Sequence, residues 1–303
     1  MRKEYISTLY DLAKENRNII ACISDNGAIV YDRYRADLPD QYINFGISEA
    51  NMLAAAAGMA SCGLIPFVYT ISNFMTMRAF EFIRNDICIN NANVKIVGTG
   101  AGFAYSELGP THHATEDIAL MRVLPNMTIL SPSSPLETIK ATRAAAAITA
   151  PVYLRIGTGN NPEIYEKDYN FKIGKGVELY NGDDITVLGT GTVLYEVIDA
   201  RKLLAKKGIS VKIINLHTIK PIDDELILQC ARETGLIVTV EEHSVIGGLG
   251  DAVADVLRSK YNNRLLKIGL EGNFAKGYGT YSYLKSINKL DSKSIVNKIL
   301  SFM

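Results

Sequence analysis

DITVLGTGTVLYEVIDARKLLAKKGISVKIINL (184–216) decides the fold class. DITVLG and VKIINL are continuous apolar runs rather than alternating ones, the pattern of strands buried on both faces. Between them, Val193, Val197, Ala200 and Leu204 fall on one helical face, and Gly208 is the predicted C-terminal stop. Strand, helix and strand in that order make a parallel pair joined by a right-handed crossover.

The same kind of run recurs as IIACI (19–23), IPFVYT (65–70), VKIVG (94–98), MTIL (127–130), VYLRI (152–156), LIVTVEE (236–242) and LLKIGL (265–270). Helical patterns fill the gaps. EANMLAAAAGMASC (49–62) has strong helix propensity and small side chains suited to close packing. Ala114, Ile118, Met121 and Leu124 share another helical face. The expectation is an α/β protein of two domains, each a mostly parallel sheet covered by helices. Gly157 to Asp183 is polar and turn-rich, which places a first domain at 1–165, a linker at 166–180 and a second domain at 181–303.

Composition narrows the function classes. With 303 residues and 48% hydrophobic, the chain has ample material for a core, and disorder is excluded. Its 32 basic residues balance 32 acidic ones, so nothing points to nucleic acid. The four cysteines form no CxxC, which argues against a disulfide framework or a zinc site and for a reducing cytoplasm. Met52 to Ala60, the longest stretch of low polarity, is too short to span a membrane, and the polar, helix-like N-terminus does not read as a signal peptide.

Four features could carry chemistry. Glu49 opens the apolar helix after Phe45-Gly46-Ile47-Ser48. It is either a carboxylate favoured by the helix N-terminus, with Ser48 near the cap, or a buried carboxyl that meets a ligand and exchanges a proton. In SELGPTHHATEDIALMRVLPNM (106–127), His112 and His113 follow a Gly-Pro turn. Adjacent histidines make a poor metal site. Either they belong to a polar capping loop, or one imidazole faces a cleft beyond the carboxyl end of VKIVG, where open α/β sheets place ligands. The turns GTGAG (98–102), GTGT (189–192) and GGLG (247–250) do not complete GxGxxG. Leu194 replaces the third glycine and Asn215 the acidic ribose reader, so nicotinamide binding is unsupported. Arg155, ending VYLRI, suits either a phosphate or an interdomain salt bridge. There is no GxSxG, HExxH or Walker A motif.

FGISEANMLAAAAGMA, PFVYTISNFMTMRAFEFIRND, GPTHHATEDIALMRVLPNM and EEHSVIGGLG, in this order, resemble the C-terminal half of the transketolase family. The split type, in which two polypeptides share what is elsewhere one chain, is the nearest resemblance. It implies thiamine diphosphate as cofactor. Glu49 matches the glutamate that bonds the pyrimidine nitrogen and favours the imino tautomer, and Phe74 matches the aromatic that packs on that ring. His112 matches the histidine that polarises substrate oxygens, and Arg155 the arginine that holds the sugar phosphate. The second domain is expected to be mainly structural.

The departures are specific. Leu108 stands where the family has an aspartate that reads a sugar hydroxyl, Gly100 where many relatives have a histidine, and Ile71 where an aromatic precedes Phe74. Two polar substrate contacts are thereby lost, which predicts a deoxy, branched or otherwise less hydroxylated sugar. The family's GDG…NN motif for the diphosphate and its Mg2+ or Ca2+ has no GDG here, so Asn90-Asn91 and Asn160-Asn161 have no leader. A partner subunit carrying that motif is expected to bind the metal, in an α2β2 assembly with the site at the interface. The competing expectations are a 2-oxoacid dehydrogenase β subunit, half of a 1-deoxyxylulose-phosphate synthase, or a non-catalytic scaffold subunit.

Overall fold

The computed structural model describes residues 1–26, 28–159, 161–258 and 264–303. In chain order the strands are β1 (Ile19–Ile23), β2 (Tyr42–Asn44), β3 (Ile65–Ile71), β4 (Lys95–Thr99), β5 (Thr128–Leu130) and β6 (Val152–Ile156). They continue as β7 (Val177–Tyr180), β8 (Ile185–Gly189), β9 (Val211–Asn215), β10 (Thr218–Lys220), β11 (Leu236–Ser244) and β12 (Arg264–Leu270). Two sheets form, ordered β10-β5-β6-β4-β3-β1-β2 and β12-β11-β8-β9-β7. Pairing is parallel throughout except for the edge strands β10 on β5 and β7 on β9. This architecture of two helix-covered, mostly parallel sheets is therefore the one that the apolar runs predict.

Burial on both faces explains why those runs do not alternate. In β1, Ile20 and Cys22 join the core under the helix Glu49–Ser61, together with Met52, Leu53 and Ala56. Ile19, Ala21 and Ile23 enter the opposite core with Tyr5 and Leu9 of the helix Arg2–Glu15. All five positions of β1 are buried. The second sheet behaves alike: Val238 and Val240 pack with the helix Leu194–Ala205, and Ile237 with the helices Asp224–Glu233 and Leu249–Leu257. Gly208, with φ +78°, follows Leu194–Ala205 in the left-handed conformation that suits a glycine stop.

The short edge strands are what the apolar pattern misses. β7 lies inside the stretch read as a polar linker, and β10 leaves the second half of the chain to complete the first sheet. Lys220 fastens that crossing by donating to the Arg122 and Leu124 carbonyls, at 3.0 and 2.6 Å. None of the described helices is long and apolar enough to cross a membrane.

A buried ionic cluster joins the two sheets. Arg155 Nε donates to Asp117 Oδ2 at 2.7 Å, and Tyr153 OH donates to the same oxygen at 2.6 Å. Arg155 Nη2 reaches the carbonyls of Ala114 (2.8 Å) and of Glu242 in β11 (3.1 Å). The rest of EEHSVIGGLG serves the same junction. Burial pushes the Glu241 carboxyl up to about 7, against the backbone N–H groups of Leu249 and Gly250 that it accepts. Burial also pushes His243 down to about 4, so this imidazole beside Asp117 is neutral at pH 7. Asp117→Ala would leave a buried guanidinium unpaired, and is expected to lower the unfolding free energy by about 3–5 kcal/mol. Urea denaturation measures this, and the double variant Asp117→Leu/Arg155→Met should lose less than the single one.

Candidate active site

Glu49 is the first residue of its helix and is 5% exposed. Ser48 holds the N-cap position, but its hydroxyl donates backwards to the Phe45 carbonyl at 2.8 Å and bonds no helix N–H. The capping half of the ordinary reading therefore fails, and the open N-terminal turn favours the carboxylate electrostatically. Arg78 Nη1 lies 3.6 Å from Glu49 Oε2.

Arg78 closes a π-helical turn, Phe74–Arg78, directly after β3. Such turns carry an extra residue per loop of helix and recur at functional sites. Here the turn lays the Arg78 guanidinium 4.1 Å from the centre of the Phe74 ring. Phe74 in turn meets the His112 ring edge-on, with centroids 5.1 Å apart. Asn73 Nδ2 donates to the Thr111 carbonyl at 3.2 Å, and Thr111 Oγ1 stands 3.0 Å from His112 Nδ1. Glu49, Arg78, Phe74 and His112 thus form one continuous chain of contacts. Three were candidates from the sequence. Arg78 was not, although its place four residues after Phe74 puts it one helical turn away.

The remaining candidates lie apart from that chain or at its edge. Ile71 ends β3 and is 9% exposed. Leu108 is exposed at the surface of the Gly-Pro loop. Gly100 has φ +88°, and a Cβ there would collide with the ring of Tyr105. Tyr105 takes the space that a larger residue at 100 would need, and meets His112 edge-on at 6.3 Å. Arg155 is withdrawn altogether, 2% exposed and committed to Asp117 and two carbonyls. The ion pair is formed within the first domain, with Asp117, and is not the interdomain salt bridge of the sequence reading; what crosses to the second domain is the Nη2 hydrogen bond to the Glu242 carbonyl.

Chemically, the cluster offers a buried carboxyl for proton exchange, an aromatic ring and an imidazole edge-on to that ring, with Arg78 between Glu49 and Phe74. Among the described residues, no three His, Cys, Asp or Glu side chains gather to hold a metal ion.

Comparison with known proteins identifies the family. The family described as "Transketolase, pyrimidine binding domain" matches residues 1–163, and "Transketolase, C-terminal domain" matches 174–271. A protein of Methanocaldococcus jannaschii described as a transketolase C-terminal section is 39% identical, over 100% of this chain and 96% of its own. A protein of Phocaeicola vulgatus described as one of the subunits of an apulose-4-phosphate transketolase is 37% identical, over 84% of this chain and 83% of its own. A solved structure, a split gene transketolase as an inactive β4 tetramer, superposes with a TM-score of 0.90 at 38% identity, covering 99% of this chain and 96% of that one. The chain belongs to the transketolase family, and it carries that family's pyrimidine-binding and C-terminal domains.

Proposed function

We propose that the chain is the β-type subunit of a split transketolase that moves a two-carbon ketol unit between sugars. The contact chain Glu49–Arg78–Phe74–His112 carries this reading. Glu49 would bond the pyrimidine nitrogen of thiamine diphosphate, with Phe74 and Ile71 packing on that ring. When bound, the cofactor supplies a nucleophilic carbon and an electron sink. Glu49 holds and returns a proton at its carboxyl, with the Arg78 guanidinium beside it. His112, held through Thr111, orients an oxygen of the substrate.

The diphosphate and its divalent metal, Mg2+ or Ca2+, fall to a cytoplasmic partner subunit with a GDG…NN motif, in an α2β2 complex. That a related split transketolase was solved as an inactive tetramer of β chains supports the need for such a partner. The substrate is a sugar with fewer or differently placed hydroxyls. Exposed Leu108 and the Tyr105-filled place at Gly100 support this, since neither position presents the family's polar group.

Co-expression with the GDG-bearing neighbour should give an enzyme that transfers ketol units without releasing carbon dioxide. Carbon dioxide release would instead indicate a 2-oxoacid donor, and an inactive pair that still binds another protein would indicate a scaffold. In the active pair, Glu49→Ala should lower kcat by about 10²–10⁴-fold while circular dichroism is unchanged. Leu108→Asp should raise kcat/KM on xylulose 5-phosphate by about tenfold or more, the worth of one hydrogen bond to a charged group. Strong wild-type turnover of xylulose 5-phosphate would refute the proposed change of substrate.

A further inference from the structure

A second imidazole, unused by the contact chain above, faces a cleft of about 550 Å3. One wall is the outer side of the π-turn, with Phe74 and Met77. The second is the Gly-Pro loop as far as Glu116. The third is Phe274–Ala275, from the half of the chain expected to be structural. His113 lines this cleft at 2% exposure, and neither ring nitrogen closes a hydrogen bond of normal geometry. Its ring is seated edge-on against Phe103, centroids 5.5 Å apart. Apart from an approach by the Ser106 backbone the imidazole has no close partner, and a buried polar group so placed costs stability and calls for a role.

The third wall is fixed in place. Ala275 is buried in the second core, and Gly279 N donates to the Ser106 carbonyl at 3.2 Å. Tyr281 OH donates to Glu242 Oε2 at 2.6 Å. Phe274 projects from this anchored loop with 80% exposure. Burial lowers the pKa of His113 and raises that of Glu116, so both lean towards their neutral forms. Arg78, the one cation among the lining residues, is already over Phe74 and beside Glu49. The cleft therefore suits a neutral, mostly apolar group bearing a single polar oxygen, and suits a phosphate poorly.

We propose that His113 and Phe274 determine specificity: His113 hydrogen-bonds one oxygen of the sugar's distal end, and Phe274 packs on its hydroxyl-free carbon. This rests on the transketolase reading and assigns the substrate end that the reading leaves open. It also gives the second domain a direct part in recognition.

The chain contains four histidines, so 15N-histidine labelling resolves each ring. The labelled chain, paired with its GDG-bearing partner, is titrated with xylulose and with 5-deoxyxylulose, which differ in one terminal hydroxyl. The nitrogens absent from the His113→Gln spectrum are expected to shift with either sugar. In ketol-transfer assays His113→Phe should raise KM about tenfold or more with kcat within about threefold, the pattern of lost binding rather than lost chemistry. Phe274→Ala, at an exposed position that tolerates truncation, should raise KM more for 5-deoxyxylulose than for xylulose. A silent His113 in an active pair overturns the site and leaves the transketolase reading standing. A responding His113 in a pair that transfers no ketol unit supports the site and overturns that reading. Equal KM values for wild type and both variants on both sugars also overturn the site.

Discussion

The Asp117–Arg155 pair is the constraint on which the rest of the geometry depends. A guanidinium withdrawn from water needs an opposite charge and partners for its remaining N–H groups. Asp117 supplies the charge from the first turn of its helix, and the Ala114 and Glu242 carbonyls take the free end of the fork. One side chain on β6 thereby sets the position of the helix Asp117–Arg122, of Ala114 three residues before it, and of β11 in the other sheet. The loop between Gly100 and Glu116 is held at both ends as a result. At its start, Gly100 N and Ala101 N donate to the Ile156 carbonyl beside Arg155, at 3.0 and 3.1 Å. At its end, Ala114 bridges back to Ala101 and Gly102. Gly102 completes the clamp, because a Cβ there would collide with the Glu242 carboxyl that accepts the Phe103 N–H. His112 and His113 sit inside a loop that cannot shift without breaking a buried ion pair. Arg155 thus governs the site by position.

The fold was legible where burial is symmetrical. Runs such as IIACI are apolar at every position because each successive side chain enters a different core, and no tertiary knowledge is needed to read that. β2, β7 and β10 were not legible. Each is three or four residues long and lies at a sheet edge, so its pairing comes from the neighbouring strand and not from its own pattern. The site shows the same division. Glu49 and the histidine pair announce themselves, because a carboxylate opening an apolar helix and two imidazoles after Gly-Pro are locally unusual. Arg78, Tyr105 and Phe274 do not, since their roles arise from contacts across the fold. Arg155 is the instructive middle case. Its strand-end position admitted a phosphate or an interdomain salt bridge, and its ionic partner is instead Asp117, 38 residues earlier in the same domain.

Leu108 and Gly100, the two departures from the family's pattern, differ in kind. Leu108 is 55% exposed on its loop, so a polar residue fits there without moving anything else. Gly100 has no such freedom. Its φ of +88° disfavours every other residue, and the Tyr105 ring occupies the space a Cβ would enter. A histidine at 100 would require Tyr105 to leave, and Tyr105 packs edge-on to His112. Glycine and tyrosine therefore change together or not at all, and His112 senses the exchange. A polar residue at 108 alone would leave the space near the imidazole closed. The two departures are thus layered: one exposed position that substitution alone can change, and one interlocked pair that the backbone itself holds in place.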